Sequence, residues 1–185
     1  VLEQKKNGRI KHLGFSAHGN VDVMKKFLAV YGEHMEFCQL QLNYMDWHFQ
    51  ECEKKVMLCK EWGLPVWVME PVRGGKLCTQ SDGMTAELNK MRPDETIPGW
   101  AFRFIQAVPE VTVVLSGMSN MEQLKQNIET WNEDKPLNSE EFDRLVSLMD
   151  EELMRIGLPC TACHYCTGHC PKGLPIPELI SLYNE

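Results

Sequence analysis

No stretch of this chain reaches the roughly 18 consecutive apolar residues that a bilayer-spanning helix requires, and no basic-then-apolar leader opens it. A membrane is therefore not an expected partner. The chain begins on Val1 rather than methionine, which suggests a piece of a longer protein. Excess positive charge is missing as well. Lys and Arg number 19 against 26 Asp and Glu, for a formal net charge of −7, whereas a phosphate backbone needs a basic face. Nucleic acid is excluded on that ground. The one basic cluster, Lys5, Lys6, Arg9 and Lys11, reads as a solvated helix end before a strand. No fixed-period repeat is present, and the cysteines are not spread evenly. Of eight, Cys38, Cys52, Cys59 and Cys78 are scattered, while Cys160, Cys163, Cys166 and Cys170 crowd into one short run. A disulfide framework distributes its cysteines through a small secreted fold. This distribution instead fits one metal site in a reducing, cytoplasmic setting.

What is present is the composition of an ordinary globular protein, 43% hydrophobic and 24% charged over 185 residues, long enough to bury a core. Residues 9–16 predict a short strand, and Val23, Met24, Phe27, Leu28 and Tyr31 mark one face of a helix over 21–31. Residues 36–44 alternate strictly, placing Gln39, Gln41 and Asn43 on one side of a strand. A helix over 49–62, stopped by Gly63, follows. Residues 64–70 form a nearly unbroken apolar run, as in a buried parallel strand. Beyond the Arg73-Gly74-Gly75 stretch come helices near 82–91 and 98–107, a strand over 111–116 and a helix over 120–131. Strand and helix thus alternate four times, the pattern of a parallel sheet with helices packed outside. The alternation stops after Asn132. A linker, Glu133-Asp134-Lys135-Pro136-Leu137, leads to a helix over 139–156 with Asn138 and Glu141 spaced as a capping box. Its stripe of Phe142, Leu145, Val146, Met149, Leu153 and Ile156 reads as packing against the body. A short helix after Pro177 closes the chain. Two segments follow from this: 1–132, the β/α part, and 133–185, a helical linker and cysteine segment.

The cysteine run is Cys160-x2-Cys163-x2-Cys166-x3-Cys170-Pro171. Three thiolates at that spacing let a tight loop wrap one corner of a cube, each sulfur reaching a different iron, and the proline turns the chain away. This is bacterial-ferredoxin spacing and points to a [4Fe–4S] cluster. Cys160-Thr161-Ala162-Cys163-His164 also matches covalent haem attachment, but that leaves Cys166 and Cys170 without a role. Four thiolates would suit zinc, although structural zinc sites usually pair two knuckles far apart in sequence. A redox dithiol would account for only two of the four. In two-cluster ferredoxins the cysteine before proline serves the other cluster, and this chain has no second motif. Either Cys170 completes its own cluster, or one of the scattered cysteines does. Otherwise those four read as small buried hydrophobes, with His164 and His169 as solvent-facing spacers.

Four segments in order, Gly14-Phe15-Ser16, Gln39-Leu40-Gln41-Leu42-Asn43-Tyr44, Glu70-Pro71-Val72-Arg73-Gly74-Gly75 and Leu115-Ser116-Gly117-Met118-Ser119, resemble the second half of an aldo/keto reductase. The ending, Leu158-Pro159-Cys160-Thr161-Ala162-Cys163 through Cys170-Pro171-Lys172-Gly173-Leu174-Pro175-Ile176-Pro177, resembles the ferredoxin-type tail of the family's iron–sulfur branch. The resemblance implies an α/β fold: strands five to eight of a TIM (β/α)8 barrel, followed by a small helical [4Fe–4S] tail. It implies a parent enzyme that transfers hydride between NAD(P)H and a small carbonyl or alcohol. The family's catalytic Asp, Tyr, Lys and His belong to the first four units, so no residue of this chain is named catalytic. Cofactor binding is what this half implies. Ser16 would hydrogen-bond the nicotinamide carboxamide, with Ala17 standing where the family has asparagine. Gln39 would contact the same amide. Gly117 and Ser119 would hold the phosphates at a helix start, and Gln123 and Asn127 the adenosine end. Lys125 is the only cation near Ser119, so NAD and NADP both stay open. Hydride carries two electrons and the cluster one; a flavin or an electron-transfer protein would be the intermediary. The other reading is an electron-transfer or structural module on a barrel scaffold that does not catalyse.

Overall fold

The computed structural model describes every residue except Thr161, Cys163 and Glu185. Four short strands, β1 (Gly14–Ala17), β2 (Phe37–Gln41), β3 (Val66–Met69) and β4 (Val111–Val114), pair in parallel in chain order. Parallel neighbours cannot be joined by a hairpin and need a crossover. Helix α2 (Val21–Tyr31) supplies the first, α3 (Asp46–Phe49) and α4 (Cys52–Glu61) the second, and α5 (Asp82–Met91) and α6 (Ile97–Gln106) the third. A short α1 (Leu2–Lys6) precedes the sheet. After it come α7 (Met121–Asn132), α8 (Ser139–Ile156), α9 (Tyr165–His169) and α10 (Ile176–Tyr183). No helix among the described residues is long and apolar enough to cross a membrane.

The alternation read in the sequence sorts the two faces of the sheet. Cys38, Leu40, Val66 and Val68 are at most 1% exposed and pack beneath the helices, beside Leu28, Leu88, Trp100 and Ile105. Their neighbours Phe37, Gln39, Gln41, Trp67 and Met69 are half-buried on the opposite face. The apolar run over 64–70 is therefore buried on one side only, because nothing among the described residues covers the other. There Phe37 stacks on Trp67 with ring centroids 4.0 Å apart. Gly14 makes room for that stack: a Cβ at this position would stand 2.4 Å from the Phe37 ring.

Several boundaries move from their sequence expectation, each for a local reason. The first strand starts only at Gly14, because Arg9 and Ile10 donate back to the Gln4 carbonyl and fold the preceding loop onto α1. Lys5 is not simply solvated there. It pairs with Glu36, which also meets His12 Nδ1 at 2.6 Å, and these partners lower the Glu36 carboxyl to about 2. The helix expected over 49–62 begins only at Cys52, where Glu51 at φ +53° separates it from the short α3. The strand expected over 111–116 ends at Val114, and an extra residue at Thr112 shifts its register: Val66 faces Val111, but Trp67 faces Val113. Helix α8 begins with the anticipated capping box, Asn138 Oδ1 accepting from Glu141 N at 2.9 Å and Glu141 Oε2 accepting from Asn138 N at 3.0 Å.

Helix α8 sits on the outside of the helix layer. Phe142 stacks on Phe104 at 4.5 Å and meets Trp47 edge-on at 5.3 Å, while Leu145 and Met149 enter the same core as the strands. The linker before it is fastened rather than loose. Arg92 donates to the carbonyls of Lys135 and Pro136, and the buried Arg103 donates to those of Thr130 and Glu133.

Strands β1 and β4 are each paired on one side only. Unpaired edges beside a half-covered apolar face recruit other chains. Residues 1–185 expressed alone are expected to self-associate. Sedimentation checks this, and a well-behaved monomer with cooperative thermal unfolding would show that this half is a domain in its own right.

Candidate functional site

Three buried polar residues lie beyond the C-terminal ends of the parallel strands. Beyond β2, Asn43 and Asp46 are completely buried, and Arg73, beyond β3, is 2% exposed. Asp46 Oδ2 accepts from Gln41 Nε2 and Asn43 Nδ2 at 2.8 Å each and from Arg73 Nε at 3.1 Å. Asn43 Nδ2 also donates to the Glu70 carbonyl at 3.0 Å. These bonds tie two strand ends together and hold a strained loop: Glu70, Arg73, Gly74 and Gly75 all have positive φ, between +50° and +88°. Left-handed angles at Glu70 and Arg73 persist only where the surroundings fix them. Asp46 and Arg73 were not identifiable from the sequence. The strict alternation put Asn43 on the strand with Gln39 and Gln41, whereas the strand ends at Gln41 and Asn43 turns inward to meet Asp46.

This loop forms one wall of a cleft of about 300 Å³. Glu70, Gly74, Gly75 and Cys78 line that wall, and Ser116, Gly117, Ser119, Gln123 and Asn127 line the other. Four of the six residues expected to bind cofactor, Gly117, Ser119, Gln123 and Asn127, are thus brought into one cleft. Helix α7 starts here, with Asn120 Oδ1 accepting from Gln123 N at 2.9 Å. Ser119 N donates to Gln123 Oε1 at 2.8 Å, and Asn127 Nδ2 to Ser116 Oγ at 3.3 Å. Gly117 does not have positive φ, and a Cβ there would meet nothing within 4 Å. Neither backbone angle nor packing within the chain calls for glycine at that point. The other two residues, Ser16 and Gln39, lie outside the cleft lining but side by side, as register partners on β1 and β2. Ser16 is exposed, and Gln39 Nε2 lies 3.4 Å from Met69 Sδ.

Cys160, Cys166 and Cys170 lie in the loop around α9, none of them in a disulfide. Cys163 lies outside the described residues. Ala162 and His164 on either side of it have φ +53° and +59°. Cys160 Sγ accepts from Ala162 N, and Cys170 Sγ from Leu174 N, both at 3.4 Å. Backbone N–H groups of Leu174, Lys172 and Gly173 lower the Cys170 thiol. At Cys170 such donors favour the thiolate, the form in which cysteine binds metal. Among the described residues no three His, Cys, Asp or Glu side chains converge on a point that could hold a metal ion. His164 and His169 are exposed. Of the scattered cysteines, Cys38, Cys52 and Cys59 are 0% exposed in the core. A hydrogen bond with Cys59, then burial, raises the Cys38 thiol, and burial raises Cys52 to about 12. Cys78 alone among the four reaches the cleft wall.

Parallel β/α units with a cleft beyond their strand ends form an α/β arrangement of the kind in which ligands bind at the carboxyl ends of the strands. The model of the aldo/keto reductase family matches residues 1–150, and the chain belongs to that family. Among solved structures it is similar to aldo-keto reductase AKR11C1 from Bacillus halodurans, with 23% identity and a TM-score of 0.64 over 80% of this chain and 53% of that one. It is also similar to an aldo-keto reductase from Klebsiella pneumoniae in complex with NADPH, with 18% identity and a TM-score of 0.60 over 80% and 51%. A third is the aldose reductase of Giardia lamblia, with 17% identity and a TM-score of 0.59 over 81% and 48%. At these identities the likeness speaks for the fold alone, and the chain spans about half the length of each. A comparison with curated proteins gives no match. The family match ends at residue 150, short of the cysteine run.

Proposed function

We propose that this chain is the cofactor-binding half of an NAD(P)-dependent aldo/keto reductase-type oxidoreductase, and that its tail binds a [4Fe–4S] cluster. In this reading residues 1–132 are barrel strands five to eight and residues 133–185 the linker and cluster segment of a cytoplasmic protein. The parent enzyme transfers hydride between NAD(P)H and a small carbonyl or alcohol. The observation that carries the reading is the cleft beyond β4, where Gly117, Ser119, Gln123 and Asn127 meet at the start of a twelve-residue helix. Helix starts favour anions because their N–H groups point outward. A phosphate seated on Ser119 N–H takes the place of Gln123 Oε1, freeing that side chain for the nucleotide. Gly117 leaves the chain open to close approach. Ser16 and Gln39, paired across β1 and β2, serve the nicotinamide amide. In the tail, Cys160, Cys163, Cys166 and Cys170 are the iron ligands, and a cluster bound there supplies one-electron transfer. The backbone donors on Cys160 and Cys170 stabilise its sulfurs.

The parent protein is expected to bind NADH or NADPH, and Gln123→Ala with Asn127→Ala to weaken that binding by about 1–3 kcal/mol, the worth of a few hydrogen bonds. Fluorescence titration with both nucleotides measures it. Absence of binding to either by the intact protein would remove the reductase reading.

A further inference from the structure

We propose that the cleft takes NADH in preference to NADPH, because its adenosine end suits a ribose with a free 2′-hydroxyl and not one carrying a 2′-phosphate. The inference rests on the nucleotide-binding reading given above and adds the choice between the two coenzymes.

The two coenzymes differ by one phosphate ester, a group that carries a charge of about −2 near neutral pH and wants donors or cations around it. The cleft offers the opposite sign. Glu70 is the only charged residue among those that line it. Glu70 is exposed, and its carboxylate hangs over the glycine loop, with Oε2 3.8 Å from where a Cβ on Gly74 would stand. A second carboxylate, Glu122, lies in the first turn of α7. The cations nearby face elsewhere. Gln123, Gln126 and Asn127 line the cleft from positions three and four apart on α7, so they share one face of that helix. Lys125 is exposed and falls on the other side. Arg73 and Lys76 flank the two glycines of the loop, but neither lines the cleft, and Arg73 is buried against Asp46.

The neutral side chains on that helix face are turned the same way. Gln126 Nε2 donates to Glu122 Oε1 at 3.4 Å, and Asn127 Nδ2 to Ser116 Oγ at 3.3 Å. Their nitrogens are thus drawn to partners within the chain, while Gln126 Oε1 and Asn127 Oδ1 accept no hydrogen bond among the described residues. Free amide oxygens beside carboxylates are acceptors. A ribose hydroxyl can donate to them, as it does to the acidic residue of many dinucleotide sites. A phosphate has only acceptors of its own to present. The backbone donor at the start of α7, Ser119 N–H, is already assigned to a phosphate that both coenzymes share.

The test measures dissociation constants for NADH and NADPH on the full-length protein, as wild type, Gln126→Arg and Lys125→Met. Wild type is expected to bind NADH about ten- to a hundredfold more tightly than NADPH, the worth of a hydrogen bond to a charged group left unmade. Gln126→Arg puts a guanidinium on the cleft face and should shift that ratio toward NADPH by about tenfold or more, since its fork matches a phosphate. A gain of this kind does not arise from a damaged fold. Lys125→Met should move the ratio by less than about twofold, as for a solvated surface charge. Binding of NADPH as tightly as NADH by wild type overturns the preference and leaves the dinucleotide site standing. So does an unchanged ratio in Gln126→Arg, or a selective loss of NADPH in Lys125→Met. If wild type binds neither coenzyme, the functional reading falls, and the preference with it.

Discussion

Cys170→Ser is expected to leave the reconstituted parent protein with a labile or three-iron centre instead of a cube. The wild type should take up close to four irons and four sulfides, with broad absorption near about 400 nm from thiolate-bound iron–sulfur centres. Spacing alone left the fourth ligand open between Cys170 and a distant cysteine. The surroundings of the candidates differ. Cys38, Cys52 and Cys59 are sealed in the core with raised thiols, whereas Cys170 is held by backbone donors that favour the thiolate. Cys163→Ser should abolish the cluster altogether, since no neighbour can replace the middle of three closely spaced ligands. An intact cube in Cys170→Ser would move the fourth ligand elsewhere, and Cys78 would be the first to test. One zinc per chain without sulfide would make the tail a structural zinc site.

Asp46→Ala should cost the parent protein about 3–5 kcal/mol, because it leaves the Arg73 guanidinium buried without its counter-charge. The pair is 0% and 2% exposed, so water cannot take over the lost bonds. The double substitution Asp46→Leu, Arg73→Met removes both charges and is expected to recover most of that loss, since replacing a buried pair with apolar groups is often close to neutral. Chemical denaturation of the three proteins measures both effects. A loss below about 1 kcal/mol in Asp46→Ala, the range of exposed pairs, would mean that the pair does not hold the loop.

Much of the fold was legible because the relevant forces are local. Helix α2, the alternation of β2 up to Gln41 and the capping box at Asn138 depend on neighbours in sequence, and these form as the pattern read them. The grouping of Gly117, Ser119, Gln123 and Asn127 was legible too, since they follow one strand into one helix. What escaped were contacts between distant segments. Asp46 with Arg73, Lys76 with Cys160 and His18 with Tyr165 have no periodicity to betray them. The break at Glu51 was missed for a related reason: an acidic residue gives no sign that it will adopt a left-handed angle.

The linker between α7 and α8 bears on how electrons would reach a cluster in the tail. A loop containing Glu133, Asp134 and Lys135 could pass for a tether, and a tethered cluster could carry charge by swinging between stations. Here Arg92 and Arg103 clamp the linker carbonyls, Phe142 is wedged against Trp47 and Phe104, and Lys76 takes hold at the far end. A cluster bound there, as proposed above, would keep a fixed address. Electrons would have to come to it, from a donor docking outside or from the cleft, and the rate would then depend on who visits, not on how fast an arm moves.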